Sequence, residues 1–236
     1  TRKGRCYWLK CYEIPEGDKN FKGRAIQNML NIEPDDSVNA MLRLRGLNDE
    51  EFVNSHYVVF ATKNGTIKKT CLEAYSRPRT NGVNAINIVD GDEVVDVRLT
   101  NGKNEIILAN RNGRAVRFDE NTVRSMGRVS TGVRGMQLDG DDDQVVGMII
   151  VNNAETETVM VVSENGYGKR SQVEDYRKTN RGGKGVKTFS ITEKTGRLVA
   201  IKNVTDDNDL MIINQSGIVI RLAVADCRVM GRATQG

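Results

Sequence analysis

Ile106-Ile107-Leu108-Ala109-Asn110-Arg111-Asn112-Gly113-Arg114-Ala115-Val116-Arg117-Phe118 is an apolar run, a tight polar turn closed by glycine, and a second run that carries bases. Asn-Gly between two strand-like runs is a strong short hairpin signal, and a type I′ turn with positive φ at both central residues is expected. The same layout recurs on either side of this stretch. Val58-Val59-Phe60 precedes Asn64-Gly65, Val159-Met160-Val161-Val162 precedes Asn165-Gly166, and Leu210-Met211-Ile212-Ile213 precedes Ser216-Gly217. Gly4 joins the series without a preceding run.

A second glycine follows each turn glycine at nearly constant distance: Gly23, Gly82, Gly132, Gly185 and Gly236 lie 19, 17, 19, 19 and 19 residues on. Behind it, Val83-Asn84-Ala85-Ile86-Asn87-Ile88 and Val133-Arg134-Gly135-Met136-Gln137-Leu138 alternate as a half-buried third strand would. An acidic turn (Asp90-Gly91-Asp92-Glu93, or Asp139 to Asp143) then leads into a fourth apolar run, Val94 to Leu99 or Val145 to Val151. Self-similarity at this period reads as a ring of four-stranded antiparallel blades, an architecture that leaves few free strand edges. The turn glycines are spaced 61, 48, 53 and 51 residues apart. The expectation is therefore one all-β, propeller-like domain over 1–236 with almost no helix, its units starting near residues 1, 52, 104, 157 and 208. The first unit lacks an opening strand and the last stops short of its third and fourth strands, so a piece of a longer ring is expected.

Composition narrows the function classes. Gly is abundant (23), Pro scarce (3), and no apolar run approaches the roughly 20 residues that cross a bilayer. No signal-peptide core follows Thr1, so the expected location is cytoplasmic. Cys6, Cys11, Cys71 and Cys227 form no CxxC pair and have no neighbouring histidines, and they read as reduced packing residues. A single histidine, His56, excludes paired-His metal sites and leaves a catalytic triad without its partners. Tyr176 occupies position ten after its turn glycine, where the other units carry Ile14, Tyr75, Val123 and Cys227; packing is expected there, not nucleophilic chemistry. Asp139 to Asp143 and Asp206-Asp207 match no EF-hand pattern and read as solvated loops.

The net charge is only +4, but charge is segregated. Gly166 to Lys187 holds seven bases against two acids, and Asp139 to Glu157 holds six acids and no base. Position four after the turn glycine is Trp8, Lys69, Arg117, Arg170 and Arg221, basic in four of five units. Superposed units would bring these bases to one rim as a curved positive track that binds phosphate without reading nucleotide sequence. The candidate contacts are Arg5, Lys68, Lys69, Arg77, Arg79, Arg114, Arg117, Arg128, Lys169, Arg170, Arg177, Lys178, Arg181, Lys184, Lys187, Arg221, Arg228 and Arg232. The richest segment is Arg177-Lys178-Thr179-Asn180-Arg181-Gly182-Gly183-Lys184-Gly185, whose glycines admit an anion close to the backbone. It is not a P-loop, because no Ser or Thr follows Lys184 and no helix follows the segment.

Gly4-Arg5-Cys6-Tyr7-Trp8-Leu9-Lys10-Cys11-Tyr12-Glu13-Ile14-Pro15-Glu16 closely resembles the start of the second blade of the C-terminal domains of bacterial DNA gyrase A proteins. Asn64 to Thr70, Val123 to Gly127 with Thr131 to Gly135, Asn165 to Arg170, and Val229 to Gly236 resemble the same family, so the resemblance spans the chain. It implies a β-pinwheel, six-bladed in the full domain with strands exchanged between blades, that wraps double-stranded DNA around a basic perimeter. It also implies that catalysis lies elsewhere: the nucleophilic tyrosine in the N-terminal part of gyrase A, ATP and Mg²⁺ in gyrase B of an A2B2 enzyme, and no cofactor or metal here. The family's box motif, a Gln, two bases, Gly-Gly, a base and Gly, belongs to the first blade, expected to precede Thr1. Arg181, Gly182, Gly183, Lys184 and Gly185 match its last five positions, with Thr179-Asn180 in place of the Gln and first base. The sister domain of topoisomerase IV, which bends DNA without strong wrapping, is the nearest alternative; Tyr12-Glu13-Ile14-Pro15-Glu16 favours gyrase. A propeller for protein contacts is the other, although the chain lacks recurrent Trp-Asp ends or kelch double glycines.

Overall fold

The computed structural model describes residues 1–236. Its strands are β1 (Arg5–Cys6), β2 (Tyr57–Thr62), β3 (Thr66–Cys71), β4 (Val83–Asn84), β5 (Val94–Thr100), β6 (Glu105–Asn110), β7 (Arg114–Asp119) and β8 (Val133–Arg134). They continue as β9 (Val145–Val151), β10 (Thr158–Ser163), β11 (Gly168–Gln172), β12 (Val186–Lys187), β13 (Leu198–Val204), β14 (Asp209–Ile213) and β15 (Val219–Ala223). One six-residue helix, α1 (Glu50–Ser55), is capped by the Asp49 carboxylate and ends at His56, whose ring stacks on Phe52 at 4.2 Å.

Every strand pairing is antiparallel, and each blade draws on two units. β5-β2-β3-β8 and β9-β6-β7-β12 are four-stranded sheets, and in both the last strand belongs to the following unit. β4 is lent backward to β1 in the same way. This exchange, which local alternation could not reveal, makes the architecture a β-pinwheel. β13-β10-β11 has three strands, and β14-β15 and β1-β4 have two each, so not every unit is the four-stranded blade that the repeat implied. The lent strands are also shorter than the alternation suggested. Only two residues pair as strand, and the next two N–H groups converge on one turn glycine: Gly135 and Met136 donate to the Gly65 carbonyl, and Thr188 and Phe189 to that of Gly113.

The core lies between blades. Ile106 and Leu108 of β6 pack with Val59, Ala61 and Ile67 of the preceding blade, whereas Ile107 and Ala109 pack with Val159 and Val161 of the following one. Both faces of an inner strand are therefore covered, which is why it reads as a continuous apolar run and not as an alternation. Burying each such aliphatic side chain contributes about 1.5–3 kcal/mol. β5 packs on β9 and β9 on β13, so the fourth strands are innermost and the lent strands form the outer edge.

The hairpin turns differ from expectation. Only the glycine has positive φ (Gly113 at +81°), no other residue does, and its N–H donates to a carbonyl three residues back, Asn110. That is a right-handed turn followed by one left-handed residue, not type I′. The Asn110 carboxamide oxygen accepts from the Arg114 N–H, and the Thr62 hydroxyl does the same for Thr66, so the residue opening the turn also closes it.

Candidate nucleic-acid interface

After the second strand of each unit comes a short 3-10 turn (Leu72–Tyr75, Glu120–Thr122, Val173–Asp175 and Val224–Asp226), and from it a loop crosses to the preceding blade. Ser125, Lys178 and Val229 on these loops bridge to Lys69, Arg117 and Arg170 of the preceding blade's second strand, so the loops run along the outer edge. Arg124, Arg177 and Arg228 all stand eight residues before the second glycine, one per loop, and all are exposed. Arg134 and Lys187, two residues after that glycine, are exposed on the lent strands, and Arg77 and Arg79 are exposed on the shorter loop of the second unit. None of these seven has a carboxylate within ion-pair distance. Arg124 and Arg134 were not among the sequence candidates. Position eleven after the turn glycine would have found Arg124, since Gly113, Gly166 and Gly217 lead there to Arg124, Arg177 and Arg228.

Five candidates are corrected. Lys68, Lys69, Arg117, Lys169 and Arg170 are buried and engaged by partners within the protein. Arg117 pairs with Glu105 and donates to the Val173 and Tyr176 carbonyls at 3.1 and 3.0 Å. Arg170 pairs with Asp206 at 2.6 Å and donates to the Cys227 carbonyl at 2.6 Å. Lys69 lies over the Tyr57 ring at 4.7 Å and donates to the Glu120 carbonyl at 3.2 Å. The recurrent base at position four thus holds the 3-10 turn of the next unit in place, and it is no part of a free track. Arg221, the fourth member, is exposed but paired with Asp209.

The remaining candidates are partly engaged. Lys178 pairs with Glu105 at 3.2 Å and Lys184 with Asp139 at 3.5 Å, both at exposed sites where such pairs are weak. Arg5 donates to the Asn81 carbonyl at 2.7 Å, and Arg114 to the Lys184 and Gly185 carbonyls, equivalent places just before the lent strand. Arg128, Arg181 and Arg232, each four residues before a second glycine, reach backbone carbonyls on the lent strand of the preceding unit.

Burial changes the ionisation of two lysines at position three. Lys68 Nζ donates to the Ala85 and Arg128 carbonyls, and Lys169 Nζ to those of Gly231 and Arg232. Desolvation, reinforced by Arg128, pushes Lys68 down to about 7; desolvation, reinforced by Arg232, pushes Lys169 down to about 8. Both folded values lie below the unfolded lysine value of about 10.4, so in that window the unfolded chain binds more protons and stability rises with pH. These two groups are expected to raise stability between about pH 7 and pH 10, each by at most about 1.4 kcal/mol per pH unit. Urea melts of the protein and of Lys68→Met across that range check this; equal slopes would refute it.

Tyr176 is fully buried, its hydroxyl pairs with that of Thr188, and desolvation pushes it up to about 12, consistent with packing. The acidic turns close hairpins: the Asp143 carboxylate accepts from Asn110 at 2.7 Å and from the Asp139 N–H at 2.9 Å. No group of three His, Cys, Asp or Glu side chains is gathered as a metal site, and no helix is long and apolar enough to cross a membrane.

A family model described as the DNA gyrase C-terminal domain, a β-propeller, matches residues 1–45, 56–101, 104–152, 157–205 and 208–236. The chain is 44% identical over all of its 236 residues to the DNA gyrase A protein of Staphylococcus aureus and spans about a quarter (26%) of that relative's length. Among solved structures it resembles a C-terminal domain of DNA topoisomerase IV, with a TM-score of 0.85 and 26% identity over the whole chain and 71% of the other. A DNA gyrase A C-terminal domain matches with a TM-score of 0.84 and 23% identity, over the whole chain and 74% of that structure. The latter likeness speaks for the fold.

Proposed function

The chain belongs to the DNA gyrase C-terminal domain family, and from that premise we propose that it binds double-stranded DNA without reading sequence and wraps it around the outer edge of the pinwheel. The observation that carries this is the recurrence of Arg124, Arg177 and Arg228: one exposed guanidinium per crossing loop, at one repeat position, without a competing carboxylate. Arg134, Lys187, Arg77 and Arg79 extend the same edge, and no helix is available to enter a major groove. Cations on a convex edge neutralise phosphates on the inner side of a bent duplex, and contacts of this kind position DNA without specifying its bases.

Within the whole protein, this domain serves an ATP-dependent type II topoisomerase. It acts with the N-terminal part of gyrase A and with gyrase B in an A2B2 assembly in the bacterial cytoplasm, at the nucleoid. Wrapping fixes the sign of the DNA crossing handed to the catalytic part, so that strand passage adds negative supercoils. ATP and Mg²⁺ act in gyrase B, and this domain supplies geometry and no reacting group.

Replacing Arg124, Arg177 and Arg228 together by Gln is expected to flatten the dependence of log affinity on log salt by about 2.7, three phosphate contacts at about 0.9 each. The loss should be the same for duplexes of unrelated sequence. Anisotropy titrations of the full-length protein measure both; an unchanged slope, or a loss confined to one sequence, would contradict the proposal.

A further inference from the structure

Arg128, Arg181 and Arg232 share a repeat position with a bonding pattern of its own. Each guanidinium Nη1 donates to the carbonyl two residues past the second glycine of the preceding unit: Arg128 to Asn84 at 2.6 Å, Arg181 to Arg134 at 2.9 Å, and Arg232 to Lys187. Arg181 Nε also donates to the Thr122 carbonyl at 2.9 Å, and Arg232 Nε to that of Asp175 at 3.1 Å, two 3-10 turns at equivalent places in successive units. The backbone at two of these positions is held from below, since Lys68 and Lys169 donate to the carbonyls of Arg128 and Arg232. The result is a row of cation-to-carbonyl bonds running from each crossing loop to the lent strand, and in two units also the 3-10 turn, of the unit before it.

We propose that Arg128, Arg181 and Arg232 are positioning residues for DNA wrapping, fixing the spacing and angle between the phosphate-binding cations of successive blades. The proposal rests on the DNA-binding reading above. A duplex is stiff, so it stays bent only if successive cation sets hold a fixed relation to one another. Backbone bonds join the same places, Gly182 N–H to the Gly135 carbonyl at 2.7 Å and Gln137 N–H to that of Gly183 at 3.0 Å, and these arginines add the recurrent side-chain bonds that turn the junction into a fixed angle, whereas the exposed arginines of the loops have no partner. Arginine suits this role because its planar fork reaches two separate carbonyls from Nε and Nη1, which a lysine ammonium on a flexible stem does not reproduce. At a plain phosphate contact, in contrast, lysine serves nearly as well.

The test uses the full-length protein with Arg181→Gln, Arg181→Lys and, for comparison, Arg177→Gln. Salt-dependent affinity is read by titration, and wrapping by the linking-number change kept when nicked circles are resealed on the bound protein. Both Arg181 variants should lose most of the linking-number change per bound protein while their salt slope stays within the roughly 0.9 of a single contact. Arg177→Gln should flatten the slope by about that amount. The proposal is overturned if Arg181→Gln flattens the slope like Arg177→Gln and keeps the linking-number change, if Arg181→Lys wraps like the parent, or if neither Arg181 variant changes anything. Should Arg181→Gln fail to fold, Arg128→Gln, which forfeits one bond only, is read by the same criteria. A parent protein that does not bind DNA at low salt would remove the DNA-binding reading itself, and that result is seen before any variant is compared.

Discussion

Gly185→Ala is expected to destabilise the protein by roughly 3 kcal/mol or more, whereas Gly23→Ala should cost only about 1 kcal/mol. The two glycines occupy the same repeat position with nearly the same backbone, φ +74° and +71°. A methyl group on Gly185 would fall 2.2 Å from the Ala115 carbonyl oxygen and 2.5 Å from its carbon. No rotamer relieves that clash, because both neighbours are backbone of the strand to which β12 is lent. At Gly23 nothing lies within 4 Å, so only the left-handed backbone penalty remains. Gly132, where an added methyl would fall 2.5 Å from the Ile67 carbonyl oxygen, should behave like Gly185. For a chain of this size about 3 kcal/mol corresponds to a fall in Tm of roughly 6–12 °C. Equal melting of Gly185→Ala and Gly23→Ala would mean that the lent strand does not depend on this close approach.

The paired glycines made the repeat and the all-β architecture readable because each has a local cause: one closes a turn, the other admits a neighbouring strand. Their offsets survive insertion and substitution elsewhere. Which blade receives the lent strand was not readable from spacing, since the receiving carbonyls, such as those of Ala115 and Ile67, carry no side-chain signature. The resemblance, not the repeat, pointed to the exchange.

The charge pattern misled in a specific way. A base recurring in four of five repeats signals a shared environment, and a carbonyl of the next unit provides one as well as a phosphate does. Arg117 is bound by Glu105 and two carbonyls, and Lys68 is buried among backbone acceptors. Hydrophobic neighbours could have warned of this: Lys68, Lys69 and Arg117 lie inside strands whose adjacent residues, Ile67, Val116 and Phe118, are core. Arg124, Arg177 and Arg228 follow a 3-10 turn instead, where the chain has left the sheet.

Raising salt from 50 to 200 mM is expected to weaken DNA binding about 10⁴-fold, and the size of that loss distinguishes the two sets of cations. If Arg77, Arg79, Arg124, Arg134, Arg177, Lys187 and Arg228 each neutralise one phosphate, log affinity falls against log salt with a slope of about −6. If the recurrent strand bases Lys68, Lys69, Arg117, Lys169 and Arg170 also served, the slope would approach −11 and the loss about 10⁶ to 10⁷. The buried set is excluded from contact by geometry, because pulling Arg117 toward a phosphate would break its pair with Glu105 and its bond to Val173 and leave the Tyr176 carbonyl without its donor. Orphaning a buried acceptor of this kind costs about 1–3 kcal/mol, added to the loss of the ion pair. Arg117→Leu should accordingly lower Tm and leave the salt slope of the folded protein near −6. A slope near −11 in the parent, or one flattened by Arg117→Leu, would return the strand bases to the DNA-binding surface.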